Sequence, residues 1–365
     1  MRTAIFLVIL LLAVTLVAGC SQQSSATVPV SPSTTPGGTT SPLVAAPTAT
    51  PALGPASGTP SPATTPAATP FSGNFIDTHA HIRPSSEPYT EIIRMMDEHK
   101  IDRMIVMEPP GDFWISGTPP SAYGIPDAAV QYPDRFLVLY SGEAGSMLYD
   151  AAKKGTYTPE QEKEFISLLD RAMASGKYRG IGEIGLRHQP PPGMAATYDI
   201  TVPADHPWMF SMADIAARYS VPLDLHMQAD DTNVAALERL LDHNPGAIII
   251  WDHAGDHTQN ATPDLLRTLL AAHKNLYTSI KIRTEEKQLL GGIVTKEGGV
   301  LTEKWKNLIA DYPDRFIIGT DVKLGIRPNE IRFVDLHSSL LSQLPADVAQ
   351  KVAQDNPKRI FNLST

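Results

Sequence analysis

From residue 74 onward, short apolar runs rich in β-branched residues alternate with longer stretches in which apolar positions recur every three or four residues. The runs fall at residues 74–78, 103–107, 135–140, 179–185, 221–226, 247–253, 275–282 and 315–321. Their length and their flanking turn residues predict strands. Helical periodicity occupies residues 90–100, 159–175, 207–219, 232–243, 263–273 and 302–311. Strands separated by helices in this way are parallel and joined by right-handed crossovers. The count of eight runs favours an α/β fold closed into a (β/α)8 TIM barrel. An open doubly wound sheet is the alternative. The pentapeptide Tyr-Pro-Asp-Arg-Phe occurs at residues 132–136 and 312–316, each time feeding a predicted strand. It reads as a turn and not as a solenoid repeat, because nothing else recurs at a fixed period.

The N-terminal part has a different pattern. Arg2 precedes an apolar run over residues 4–17 that ends in Val17-Ala18-Gly19-Cys20. The run is short for a membrane span and reads as the h-region of a signal peptide covering residues 1–19. Its ending resembles a bacterial lipobox, which implies cleavage before Cys20 and diacylation of its sulfur. Two acyl chains on one residue satisfy the requirement for stable membrane attachment. Cys20 is the only cysteine, so an intrachain disulfide framework and cysteine-based zinc fingers are excluded. Residues 21–72 carry no charged side chain and are dominated by Ser, Thr, Pro, Ala and Gly, a composition that cannot bury enough apolar surface to fold. Residues 20–72 are therefore expected to form a lipidated, disordered tether reaching up to ~160 Å if extended. The expected location is the bacterial cell surface or periplasm, anchored to the membrane.

That leaves residues 73–365 as one domain, holding all 39 acidic residues and every basic one except Arg2. A net charge of −9 disfavours a surface built for nucleic acid. A small-molecule partner fits better.

Chemistry collects at the C-terminal ends of the predicted strands. His79 and His81 follow the first strand, Glu183 lies in the fourth, His226 ends the fifth, His253 the sixth, and Asp321 the eighth. Residues two apart on a strand face the same side, so His79 and His81 can both enter a barrel mouth. In a closed barrel these ends converge on the face where barrel active sites are built. Imidazoles with carboxylates are ligands for zinc or a related divalent cation, with manganese and cobalt as alternatives. Asp77 and Asp252 are candidates to orient the ligand histidines. Arg187, Lys281, Arg283 and Lys323 place positive charge near the same mouth and suit an anionic substrate group. Residues 109–126 and 284–301 are long enough to be lids, and Phe113, Trp114 and Tyr123 in the first could supply an aromatic wall. His99, His188, His206, His243, His257, His273 and His337 fall mostly on helices or caps, where solvent exposure is expected; His188 differs in following the fourth strand.

In order and spacing, these positions resemble the amidohydrolase superfamily. Asp252-His253-Ala254-Gly255, Gly319-Thr320-Asp321 and the closing Asn356-Pro357-Lys358-Arg359-Ile360-Phe361 are similar to its amidohydrolase-related, decarboxylase-containing group. Gly182-Glu183-Ile184-Gly185-Leu186 instead looks like the TatD-type hydrolases, in which that Glu bridges two metals. The resemblance implies that His79, His81 and Asp321 hold a first cation. His226 and His253 would hold a second, or His226 would join the first site while His253 orients the substrate. Glu183 bridges two cations or packs beside one. Asp321 is implied as the proton shuttle, with His253 beside it in catalysis. The expected activity is hydrolysis of an amide, ester, lactone or phosphoester by metal-activated water. A metal-dependent decarboxylase and a non-catalytic binding lipoprotein on the same fold are the alternatives.

Overall fold

The computed structural model describes residues 70–83, 86–108, 125–189, 199–254, 260–282, 299–326 and 329–363. The signal segment, Cys20 and the tether lie outside these residues, as do Trp114 with its aromatic neighbours, Arg283, His257 and most of both proposed lids. No helix among the described residues is long and apolar enough to cross a membrane.

The strands are β1 (Phe75–Ile82), β2 (Ile101–Val106), β3 (Phe136–Val138), β4 (Ile181–His188), β5 (Ile200–Thr201), β6 (Pro222–Met227), β7 (Ile248–Ala254), β8 (Leu276–Ile280), β9 (Phe316–Ile318) and β10 (Val322–Leu324). One sheet runs β10-β1-β2-β3 and the other β5-β4-β6-β7-β8-β9. Both are parallel apart from the antiparallel β4–β5 pair. A parallel bridge between Tyr140 and Ile181 joins β3 to β4. On the other side β9 and β10 are two halves of one chain run that lies along β1, with Asp321 N–H donating to His79 O at 2.7 Å. The eight predicted runs are thus the eight staves of a closed barrel, the arrangement that their count favoured over an open sheet.

Two apolar layers hold it. The larger lies between strands and helices and includes Phe136, Phe165, Trp208, Trp251 and Trp305. A smaller cluster fills the barrel interior below the mouth, where Ile76, Ile105, Leu137, Ile250 and Ile317 meet Ile360 and Phe361 from the C-terminus. Asn356 fastens that terminal segment by donating to Pro313 O and Phe316 O, both at 2.8 Å. The two Tyr-Pro-Asp-Arg-Phe segments make the same turn, Arg135 N–H to Tyr132 O and Arg315 N–H to Tyr312 O, both 3.0 Å. Each arginine then caps carbonyls at the foot of a neighbouring strand: Arg135 those of Ile101 and Asp102, Arg315 that of Leu276.

All six predicted helices are present, at Tyr89–Glu98, Pro159–Ala174, Pro207–Tyr219, Asp231–His243, Pro263–Ala272 and Glu303–Asp311. The pattern did not single out the helices Ile125–Gln131, Gly142–Lys154 and Val334–Ser342. It also ended two strands early. β1 runs through Ile82 and β4 through His188, so the His79/His81 pair lies within a strand and not after it.

Candidate metal centre

Register shifts in β1 between Asp77 and Ala80 break simple alternation and turn both His79 and His81 inward above Ile76. Both are fully buried. Glu183 comes from β4, where Gly182 lets β4 approach β6: a Cβ there would sit 2.6 Å from Asp224 Cβ. His226 ends β6 and is only partly buried, the rim of the cluster. His253, near the end of β7, and Asp321, in the break between β9 and β10, both have left-handed backbone, φ +68° and +50°. Such conformations in non-glycine residues concentrate at functional sites. Gly319 leaves the room that His79 needs, because a Cβ there would lie 2.8 Å from His79 Cβ.

Glu183 is the hub. Its Oε2 lies 3.3 Å from His79 Nε2 and 3.4 Å from His81 Nε2, and its Oε1 lies 2.7 Å from His226 Nδ1 and 3.2 Å from His253 Nε2. Each oxygen is therefore shared by one pair of imidazoles. Asp321 Oδ1 joins the first pair, 3.1 Å from His81 Nε2 and 3.9 Å from His79 Nε2. In the second pair the two facing nitrogens are 3.1 Å apart. All six predicted ligand positions thus meet in one buried cluster.

The donor set fits a cation. His81 Nδ1 lies 2.9 Å from Met107 O, which fixes Nδ1–H as the donor and leaves Nε2 with a lone pair. The Nε2 atoms of His79 and His81 are buried without a hydrogen bond of acceptable geometry. Converging lone pairs of this kind, with carboxylate oxygens between them, suit zinc or another divalent ion. Without an ion, charge is balanced by protons. Burial opposes charge on His79, but the Asp252 and Glu183 carboxylates push its pKa well above the usual imidazole value. Burial likewise works against ionised Glu183, yet the charge of His79 and the hydrogen bonds of His226 and His253 hold it well below the usual carboxylate range. His253 is driven down to about 3 by burial and by the Lys281 charge, so it is neutral and ready to ligate.

Beneath the ligands lies a layer of acids. Asp252 Oδ2 makes an ion-pair contact with His79 Nδ1 at 3.0 Å, off hydrogen-bond geometry, so its charge serves the histidine across the barrel. Its pKa falls to about 2, because His79 and its other partners outweigh burial. Asp224, to which the sequence had suggested no role, is buried beside it; desolvation and the Asp252 charge raise its pKa well above the carboxylate range, which keeps it neutral. Asp77 accepts from Thr320 N–H at 2.9 Å, from Thr320 Oγ1–H at 2.5 Å and from His79 N–H at 3.2 Å. Burial raises it to about 6 against those bonds.

Both lysines reach the centre. Lys281 Nζ lies 2.7 Å from Asp321 Oδ2, and Lys323 Nζ pairs with Oδ1 of the same carboxylate. Burial lowers the Lys323 pKa against the pull of Asp321. Arg187 is not brought in. Its guanidinium bonds Asp199 at 2.7 Å and Thr201 Oγ1 at 3.0 Å, partners supplied by the short strand β5, which the sequence pattern does not reveal, and the residue before it. His188 is instead the residue of that segment nearest the rim, its ring centroid 5.5 Å from that of His226. His337 and His273 are buried and not solvated. His337 accepts from Ile282 N–H at 3.1 Å and donates to Phe333 O at 2.8 Å, tying down the backbone next to Lys281.

A family model described as amidohydrolase matches residues 76–363. Among solved structures, 2,6-dihydroxybenzoate decarboxylase in complex with 2,6-dihydroxybenzoate aligns with TM-score 0.50 at 13% identity, covering 80% of this chain and 99% of that one. The 5-carboxyvanillate decarboxylase of Sphingomonas paucimobilis aligns with TM-score 0.49 at 12% identity, over 80% and 100% of the two chains. Dihydroorotase of Campylobacter jejuni aligns with TM-score 0.45 at 15% identity, over 80% and 84%. At these identities the likeness concerns the fold alone. No curated protein matches by sequence.

Proposed function

The chain belongs to the amidohydrolase family, and from that premise we propose that it is a metal-dependent hydrolase of a small extracytoplasmic substrate carrying an amide, ester, lactone or phosphoester bond. The observation that carries the reading is the division of Glu183 between two pairs of imidazoles, Oε2 with His79 and His81, Oε1 with His226 and His253. A carboxylate shared in this way suits two divalent ions, with Asp321 completing the first set. When bound, such ions make hydroxide available near pH 7 and polarise the bond under attack.

The remaining work falls to side chains. Asp321 takes the proton of the attacking water and returns it to the leaving group. Lys281 and Lys323 keep that carboxylate ionised and present positive charge to an anionic part of the substrate. His253 is neutral and its Nε2 faces Glu183 Oε1 at 3.2 Å; that nitrogen would serve as a hydrogen-bond donor to the substrate, or as a ligand once its proton moves to the unpartnered Nδ1. Lipidation of Cys20 would hold the enzyme at the outside of a membrane, where its substrate would be met.

Metal content per chain, followed by a substrate panel in isotopically labelled water, tests the reading. We expect about two equivalents of metal, loss of turnover on chelation, and one solvent oxygen in the product. Release of carbon dioxide without uptake of solvent oxygen would turn the assignment to a lyase, and a chain that binds no divalent metal would overturn it.

A further inference from the structure

Two cation ligands depend on a residue that belongs to neither ligand set. Ser279 on β8 is 1% exposed, and its hydroxyl faces the barrel interior between β7 and the β9–β10 run. Its Oγ–H donates to Asp252 Oδ1 at 2.6 Å, while its Oγ accepts the backbone N–H of His253 at 3.2 Å. Asp252 in turn places its other oxygen 3.0 Å from His79 Nδ1. One hydroxyl therefore ties down the side chain that orients His79 and the backbone that carries His253.

The second bond answers a defect in the sheet. The β7–β8 register shifts between Trp251 and Ala254, and His253 in that gap has φ +68°. A left-handed residue turns its N–H out of the ladder, and a buried amide left without an acceptor is costly. Ser279 supplies the acceptor that the ladder cannot. On a strand the neighbouring residue faces the other way, and Thr278 bonds Trp251 O at 2.7 Å in the layer against the helices.

We infer that Ser279 is a positioning residue for both halves of the metal centre, fixing His79 through Asp252 and His253 through its amide. The inference rests on the metal-dependent reading of the site. Residues that orient metal ligands in this way typically contribute about 10–100-fold to metal affinity.

Cobalt(II) titration of the metal-free full chain tests it, read by affinity and by the visible ligand-field band, beside the metal-free melting temperature. Ser279→Ala should bind cobalt about 10–100-fold more weakly and shift or weaken the band. Thr278→Val removes a comparable buried hydroxyl on the opposite face; it should melt lower yet keep wild-type affinity and band. Ser279→Cys keeps the volume with a poorer hydrogen-bonding group and should change affinity in the same direction, so it decides the matter if Ser279→Ala does not fold. Wild-type affinity and band in the Ser279 variants, or an equal loss in Thr278→Val, would overturn the inference while leaving the metal site standing. A wild-type chain that takes up no cobalt would overturn the functional reading, and this inference with it.

Discussion

Glu183→Gln is the sharpest perturbation of the centre, because it keeps the shape of the side chain and removes only its charge. The carboxylate touches four imidazoles, with oxygen–nitrogen separations from 2.7 to 3.4 Å, so any ion held between those nitrogens is also next to Glu183. Two unit charges 4 Å apart interact by about 4 kcal/mol at an effective dielectric of 20. A divalent ion at ligand distance loses at least that much when the carboxylate becomes an amide. The loss corresponds to about three orders of magnitude in affinity for each ion the carboxylate serves. The assay is metal analysis after dialysis against a weak chelator, with calorimetric titration of both proteins. A bridge predicts a fall from about two equivalents to one or none. Equal stoichiometry and affinity in the two proteins would refute the reasoning, since the one buried carboxylate in contact with all four histidines would then hold nothing.

Further outcomes follow from the same geometry. Asp321→Asn should lower kcat by about 10²–10⁴-fold while metal content falls little, if its main role is proton transfer; steady-state rates normalised to bound metal check this, and an unchanged normalised rate would remove Asp321 from the proton path. His79 has a pKa raised well above 6.5 in the ion-free cluster, where Asp252 and Glu183 outweigh burial. It must lose its proton to ligate, so metal affinity should climb with pH up to its raised pKa and level off above it, and binding below that point should release protons, measurable in weakly buffered solution; pH-independent affinity would contradict it. Cys20→Ser should release the protein from membranes or stall its processing, seen by fractionation and mass analysis, whereas unacylated wild-type protein free in the medium would remove the proposed anchor.

The barrel was legible in the sequence because its staves are covered on both faces, so each appears as a mainly apolar run whatever its exact alternation. The helix Gly142–Lys154 was not, since Gly142, Gly145 and several alanines dilute its apolar stripe and read as turn residues. The proposed metal ligands stood out for the opposite reason to the strands: His79, His81, Glu183 and His253 are polar groups inside apolar runs, where burial is expensive without a partner. Their supports were harder to see. Asp252 precedes His253 in sequence but faces His79, because partners across a barrel are set by register and not by chain order. Ser279 and Asp224 lacked any local signal, and both matter only beside Asp252. Arg187 misled for the same reason, its partner Asp199 coming from a segment with no strand-like pattern.

Charge explains why so many acids can be buried at one barrel mouth. Glu183 and Asp252 are held ionised, and Asp77, raised to about 6, is mostly ionised at neutral pH, while Asp224 keeps its proton. His79, whose pKa these acids raise, and the lysines at 281 and 323, which pair with Asp321, set positive charge against that negative charge. Under the proposed function a divalent ion would enter as the His79 proton leaves, and each ion taken up would make the mouth more positive and more favourable to an anionic substrate group. The lysines fit this scheme. An ion held by Asp321 would weaken the hold of that carboxylate on Lys281 and Lys323 and would leave their charge for an anionic substrate group.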